Sequence, residues 1–429
     1  METRPLLSTK TLYDDNNYVK HTLDNGLTLI SQYMPHLKSI AIGAWVLVGS
    51  RYEKRDNMGI SHFIEHSVFK GTKKRNPLQI AKSLENVGGS LNAFTSKEHT
   101  CYYANILSED LPLAVDVISD LVTNATFLEK EIEKEKLVVI EEIKDTEDTP
   151  EEFIQDYFYS RVFPEHPLGH GILGTKDTVA HFTPKQIDAY YSKYYVPSNI
   201  VVSVAGNFNQ NELLKVVSKR FRFRQNSANR SYWPKGFEKY QFRRFKGERD
   251  IIEKNISQAH VCMGLPIKIS YMHTKKFELL ALNTILGGGM SSRLFQKVRE
   301  RHGLAYSIYS FVDFMYDTGL FGIYWSTDKT KLDKAIDLVK NELKRMANQP
   351  IKKNELKMAK SQIKANLLFG LESTSTRMIR LAKNEIYLKK KLNIADITEY
   401  IDNITLDDIN NVAVTLSDKV DSMQISILC

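Results

Sequence analysis

Gly59-Ile-Ser-His62-Phe-Ile-Glu65-His66-Ser-Val-Phe-Lys70 is the stretch from which the rest of the chain can be read. Written as a helix, it places two imidazoles four residues apart on one face, with a carboxylate beside them. That spacing presents two nitrogen donors to one Zn²⁺ while Glu65 lies where it can polarise a water. The order His-x-x-Glu-His reverses the commoner His-Glu-x-x-His. An ordinary helix with two surface histidines would show the same letters, so the surroundings must decide.

With 429 residues the chain exceeds the roughly 250–300 that one hydrophobic core serves, so two domains are expected. Its longest apolar run, Ile40–Val48, is far short of the ~20 residues of a membrane helix. The opening Met-Glu-Thr-Arg-Pro-Leu-Leu-Ser has no apolar signal core, and Asp14 and Asp15 are unlike an acid-poor transit peptide. A cytoplasmic protein without membrane contact is expected. Cys101, Cys262 and Cys429 are few and widely spaced, which suits a reducing compartment and excludes a cysteine zinc cage. Any metal must therefore be held by nitrogen and oxygen.

The net charge of +8 is local. Between Lys219 and Arg249 stand eleven Lys and Arg against two Glu, more than the whole excess. No zinc finger, stacking-aromatic motif or phosphate loop accompanies them, so a solvated basic linker is expected and no nucleic-acid site. Composition there lapses into Asn, Ser, Arg, Trp, Pro and Gly, which divides the chain into 1–224, a linker at 225–247, and 248–429.

Before the linker, strands and helices alternate. Gly26–Gln32 and Ser39–Gly49 have strand composition, and Asn76, Pro77 and Gly88 punctuate a helix. Gly89–Leu107 reads as one long strand. Leu111, Val115, Ile118 and Leu121 stripe an amphipathic helix. Leu128–Thr149 is a long acidic helix with Leu137 and Ile140 as its apolar stripe. After the linker the plan recurs as strand Ala259–Leu265, helix Thr274–Leu286, strand Gly319–Thr327, helix Leu332–Met346 and long helix Ile351–Leu371. Aligning Glu131-Ile132 with Glu355-Leu356 gives an internal repeat of some 200 residues. At the position of the histidine pair the repeat offers Leu282–Leu286, with no ligand.

A catalytic zinc site wants a third protein ligand. The acidic helix supplies Glu131, Glu135, Glu141 and Glu142 as candidates, and physical reasoning prefers one that faces the core without choosing among them.

His62-Phe-Ile-Glu65-His66 followed by Phe69-Lys-Gly-Thr72 resembles the pitrilysin/insulinase family of zinc peptidases, in particular its short two-repeat branch of bacterial and mitochondrial processing peptidases. In that branch the third ligand falls on Glu142, in Val138-Val-Ile-Glu-Glu142, and a supporting, non-ligating glutamate on Glu135. The two are two helical turns apart and share a face. Ala359 and Asn366 hold the corresponding places in the repeat, which makes it a metal-free partner.

The likeness spans nearly the whole chain. Gly88-Gly-Ser-Leu-Asn92-Ala93-Phe94-Thr95 resembles the family's substrate-binding edge strand, and Arg299 with Tyr306 fits an arginine–tyrosine pair that stabilises the transition state. The fold class implied is α+β, two homologous halves, each a mixed or antiparallel sheet packed with helices, forming a clam-like chamber. The resemblance further implies Zn²⁺ as cofactor, Glu65 as general base, an extended peptide as substrate and a homodimer. Ten acidic residues against three lysines in Glu131–Glu152 favour basic peptides if that helix lines the chamber. A noncatalytic scaffold subunit is the competing expectation.

Overall fold

The computed structural model describes residues 17–223, 233, 237–242 and 245–429. The opening segment Met1–Asn16 and residues 225–232, 234–236 and 243–244 of the expected linker lie outside the described residues.

In chain order the strands are β1 (Tyr18–Thr22), β2 (Thr28–Tyr33), β3 (Ser39–Val46), β4 (Ser90–Thr95), β5 (Thr100–Leu107), β6 (Ile200–Gly206), β7 (Arg249–Ile252), β8 (Ala259–Ile267), β9 (Ile308–Phe314), β10 (Gly319–Thr327) and β11 (Gln424–Leu428). The helices are α1 (Ile60–Ser67), α2 (Pro77–Glu85), α3 (Leu111–Asn124), α4 (Glu129–Asp148), α5 (Pro150–Val162), α6 (Lys176–Ala180), α7 (Pro184–Tyr194), α8 (Gln210–Arg220), α9 (Lys276–Gly287), α10 (Leu332–Asn348), α11 (Lys353–Gly370), α12 (Thr374–Lys383), α13 (Ile394–Asn403) and α14 (Leu406–Ser417).

Two mixed sheets result. The first has the order β1-β2-β6-β3-β5-β4, the second β7-β11-β8-β10-β9. In the first, β2 and β6 run parallel and the other neighbours antiparallel. In the second, β7 and β11 run parallel and the rest antiparallel. Five strands of the first sheet thus recur in the second with the same order and sense. The repeat is therefore structural as well as sequential.

The chain forms two compact units that do not follow one another in sequence. One contains residues up to Ile143, Gly171–Glu238 and Phe369–Ile397; the other contains Lys144–His170, Lys239–Leu368 and Thr398–Cys429. A division at 1–224 and 248–429 describes the repeat, whereas the compact units cut across it. Each repeat gives one helix to the other's sheet: α5 packs on β8 and β11, and α12 packs on β3, β6 and β2. The second contact is close. A Cβ on Gly43 would sit 2.7 Å from Met378 Sδ, so the methionine would have to shift to admit one, and Ser203 Oγ donates to the Met378 carbonyl at 2.7 Å.

Local punctuation follows sequence. Asn76 accepts from Gln79 N, Pro77 opens α2, and Gly88 follows at φ +73°. The stretch Gly89–Leu107 differs from expectation, because it is a hairpin of β4 and β5 around Ser96–His99 rather than one strand. The stripe of α4 differs as well. Leu137 is exposed, while Ile132, Glu135, Val139 and Ile143 are buried. Where it is described, the linker is also less solvated than its charge suggested. Trp233 and Phe237 are buried, and Trp233 Nε1 donates to the Ile386 carbonyl at 3.1 Å. Among the described residues no helix is long and apolar enough to cross a membrane.

Candidate metal centre

Helix α1 is buried on nearly every side, and its start is fixed by a distant carboxylate. Glu53 accepts from Gly59 N at 2.7 Å and Ser61 N at 2.8 Å, supplying the cap that Gly59 itself lacks. Burial pushes the Glu53 carboxyl up to about 7, against those hydrogen bonds. Gly59 has φ +89°, and a Cβ there would lie 2.4 Å from the Leu173 carbonyl, so the turn into α1 requires glycine. Ser61 and Tyr190 share a hydroxyl contact at 3.1 Å, and Phe63 meets Phe182 edge-on. The imidazole-bearing face is thereby held rigidly.

His62, His66 and Glu142 offer donor atoms that all lie within 4.8 Å of one another. Glu142 Oε1 is 3.6 Å from His62 Nε2, and Glu142 Oε2 is 3.6 Å from His66 Nε2. These distances are too long for hydrogen bonds. They are close to the ~3.3 Å that separates donors on a tetrahedron with bonds of ~2.0–2.1 Å. Glu142 Oε2 is buried without a hydrogen-bond partner, a cost that a cation between the three groups would remove. Two imidazole nitrogens and one carboxylate oxygen suit zinc, and three protein donors leave a coordination position for chemistry.

Glu135 stands behind the site. A carboxylate can only accept, so His66 donates from Nδ1 to Glu135 Oε1 at 2.8 Å, which leaves Nε2 as the free lone pair. Lys70, four residues beyond His66, pairs with Glu135 Oε2 at 2.7 Å. Burial raises the Glu135 carboxyl, but the hydrogen bonds from His66 and Lys70 outweigh it and hold it below its ordinary value. Burial, with His66 beside it, takes His62 down to about 3, so this imidazole is neutral and ready to bind metal. Burial also lowers His66, yet the Glu135 hydrogen bond and the nearby carboxylates reverse the shift. Glu142 is raised by burial.

Glu65 is buried beside the histidines, and burial raises its carboxyl against the hydrogen bond from Thr95. That bond, Thr95 Oγ1 to Glu65 Oε2, measures 2.6 Å. Among the described residues nothing donates to Oε1. The edge-strand resemblance groups Thr95 with Asn92, Ala93 and Phe94, and its hydroxyl here is bonded to Glu65. Asn92 is exposed on β4, with Oδ1 accepting from Ala93 N at 2.8 Å. Phe94 packs edge-on against Trp45. β4 is the last strand of its sheet, as an edge that accepts a peptide must be.

Arg299 and Tyr306 lie in the other unit. The Arg299 guanidinium sits over the rings of Phe295 (4.6 Å) and Tyr306 (5.1 Å), and Tyr306 is 76% exposed. They border a surface cavity of about 420 Å³ with Gln258, Thr327 and Lys331. Sequence reasoning missed Lys70, Glu53 and the use of Thr95. Only Lys70 left a signal, one helical turn beyond His66.

Residues 28–176 match the family described as Insulinase (Peptidase family M16), and residues 181–363 match the Peptidase M16 inactive domain. The uncharacterized zinc protease YmxG of Bacillus subtilis (strain 168) is 39% identical over 394 residues, which cover 92% of this chain and 94% of that protein. An uncharacterized zinc protease of Streptomyces coelicolor is 36% identical, with 96% of this chain and 91% of that protein covered. The fold is shared with a protease from Helicobacter pylori (TM-score 0.87, 24% identity, 96% and 99% covered). It is also shared with a chain of Complex III2 from Candida albicans (TM-score 0.80, 18% identity, 96% and 95% covered). The chain belongs to the insulinase family of peptidases, M16.

Proposed function

We propose that the chain is a zinc-dependent endopeptidase that cleaves short or unfolded peptides held in extended form. The observation that carries this reading is the convergence of the His62, His66 and Glu142 donors within 4.8 Å, with the unengaged Oε1 of Glu65 alongside. His62, His66 and Glu142 would hold the metal, and Glu135 would orient His66. Zinc bound there would activate a water and polarise the scissile carbonyl. Glu65 takes the proton of the attacking water and returns it to the leaving amine. Strand β4 receives the peptide by strand addition, which reads its backbone more than its side chains. Arg299 and Tyr306, by family resemblance, hold the substrate carbonyls and the developing oxyanion.

Glu65→Gln is the direct test. It retains stoichiometric zinc and lowers kcat by about 10³-fold or more. Substantial residual turnover would refute the general-base role.

A second reading, a noncatalytic subunit, draws on the match of residues 181–363 to the Peptidase M16 inactive domain. Metal analysis separates the two, since absence of stoichiometric zinc from the purified protein would favour the subunit. Removal of defined leader segments and general oligopeptide degradation use the same residues, and mass spectrometry of products from an intact precursor and from mixed peptides distinguishes them. A homodimer accompanies the peptidase reading; light scattering that returns the mass of one chain would remove it.

A further inference from the structure

We infer that Thr95 is a positioning residue for the general base, holding Glu65 by one oxygen so that the other faces the reaction. The inference rests on the assignment of Glu65 as base. Thr95 ends β4 opposite Thr100, the first residue of β5. Its Oγ1 lies 2.6 Å from Glu65 Oε2 and 3.3 Å from Thr100 Oγ1. Thr100 Oγ1 in turn donates to the Val48 carbonyl at 3.0 Å. Each hydroxyl has one proton to give. The Val48 carbonyl takes that of Thr100, and distance assigns that of Thr95 to Glu65. The carboxylate is therefore pinned at Oε2, while Oε1 receives no hydrogen bond among the described residues.

The anchor is itself immobilised, which separates Thr95 from a strand residue that happens to touch a carboxylate. The hairpin tip is closed by Ser96 N to the His99 carbonyl at 2.8 Å and by His99 N to Ser96 Oγ at 3.1 Å. From outside, Arg51 N donates to the Lys97 carbonyl at 2.8 Å. A Cβ on Gly49 would come within 2.1 Å of the Ser96 carbonyl, so the segment after β3 and the hairpin tip approach as closely as backbone allows. Arg51 and Glu98, both buried, pair at 2.7 Å, and Tyr387 donates its hydroxyl to Glu98 at 2.8 Å. Displacing the hairpin tip that follows Thr95 would break a buried ion pair, which is costly. General-base catalysis depends on such placement, because an error of about 1 Å costs on the order of 10²-fold.

The test uses the full-length, zinc-loaded protein and an internally quenched, unstructured peptide containing Lys and Arg. Thr95→Val keeps shape and strand propensity but removes the proton. It lowers kcat about 10- to 100-fold, with KM, zinc affinity against a chelating dye and thermal midpoint all unchanged. Thr95→Ser restores most of the rate, and Thr95→Val has no further effect in a Glu65→Gln background. A raised KM with intact kcat would instead make Thr95 a substrate contact and overturn the inference. Loss of zinc affinity or thermal stability in step with activity would overturn it as well, as would failure of serine to rescue. If Glu65→Gln is inactive while Thr95→Val is fully active, only the role of Thr95 falls. If Glu65→Gln itself turns over normally, the base assignment falls and this inference with it.

Discussion

Helix α4 of the first repeat and helix α11 of the second hold corresponding places, and they differ where chemistry would need them to. Glu135 is matched by Ala359 and Glu142 by Asn366. Glu135 and Ala359 are equally buried, yet one is a carboxylate between His66 and Lys70 and the other a methyl group in an apolar core. Helices α1 and α9 repeat the contrast. Where α1 buries His62 and Glu65, α9 buries Leu279, Leu282, Ile285 and Leu286. The sheets beneath keep one strand order and sense. One framework thus accepts either an ionisable interior or an apolar one, and function resides in the site rather than in the fold. The ionisable version has a cost, seen in the unpartnered His62 Nδ1 and Glu142 Oε2.

The comparison breaks most severely if the first repeat is given the residue of the second. Glu142→Asn leaves two imidazoles without their carboxylate, so the purified protein should carry no stoichiometric zinc. Turnover should fall by about 10⁴-fold or more, since the zinc proposed to lower the pKa of water would be lost. Full occupancy by elemental analysis would show that another residue is the third ligand. The reverse exchange, Ala359→Glu, buries a carboxyl in an apolar cluster, one helical turn from Glu355, which already holds the nearby Arg293. It should destabilise by about 3 kcal/mol or more and bind no additional zinc. The sign of its pH dependence follows from burial: the folded state keeps the proton, whereas the unfolded chain releases it above about pH 4.3. The stability deficit against wild type therefore grows as pH rises from 5 to 8 in urea titrations. A deficit that shrinks over that range would mean the new carboxylate has found a cation.

Glu135→Ala, again the second repeat's residue, should be milder because none of the three proposed ligands is removed. His66 loses the acceptor that fixes its tautomer, and zinc affinity should drop roughly 10- to 100-fold in chelator competition. An unchanged affinity would make the Glu135–His66 contact structural only.

The two repeats also differ in how much of them sequence revealed. His62, Glu65 and His66 were legible because helical spacing alone brings them together, and the caps of α2 because Asn, Pro and Gly act locally. Glu142 lies on another element, and spacing left four glutamates open until family resemblance chose one. On α4 the rule that apolar residues face inward fails at Leu137, because the buried face includes Glu135. The bond from Thr95 to Glu65 was not legible, because a strand pattern says which face a side chain takes but not what waits there. The exchange of α5 and α12 between sheets left no local trace, since amphipathicity marks a buried face without naming its partner.

Asn366→Glu should have the smallest effect. Asn366 is exposed on α11, so a carboxylate there remains hydrated and should change stability by no more than about 0.5 kcal/mol. It restores to the second repeat the residue type proposed to ligate in the first, but not the ligand set. The counterpart helix α9 carries buried leucine and isoleucine where α1 carries histidine, and a lone hydrated carboxylate holds zinc weakly beside two imidazoles and a carboxylate. Zinc stoichiometry should therefore stay at that of the parent protein. A second equivalent on Asn366→Glu would mean that the helix bearing the carboxylate, not the helix bearing the histidines, decides which repeat takes the metal.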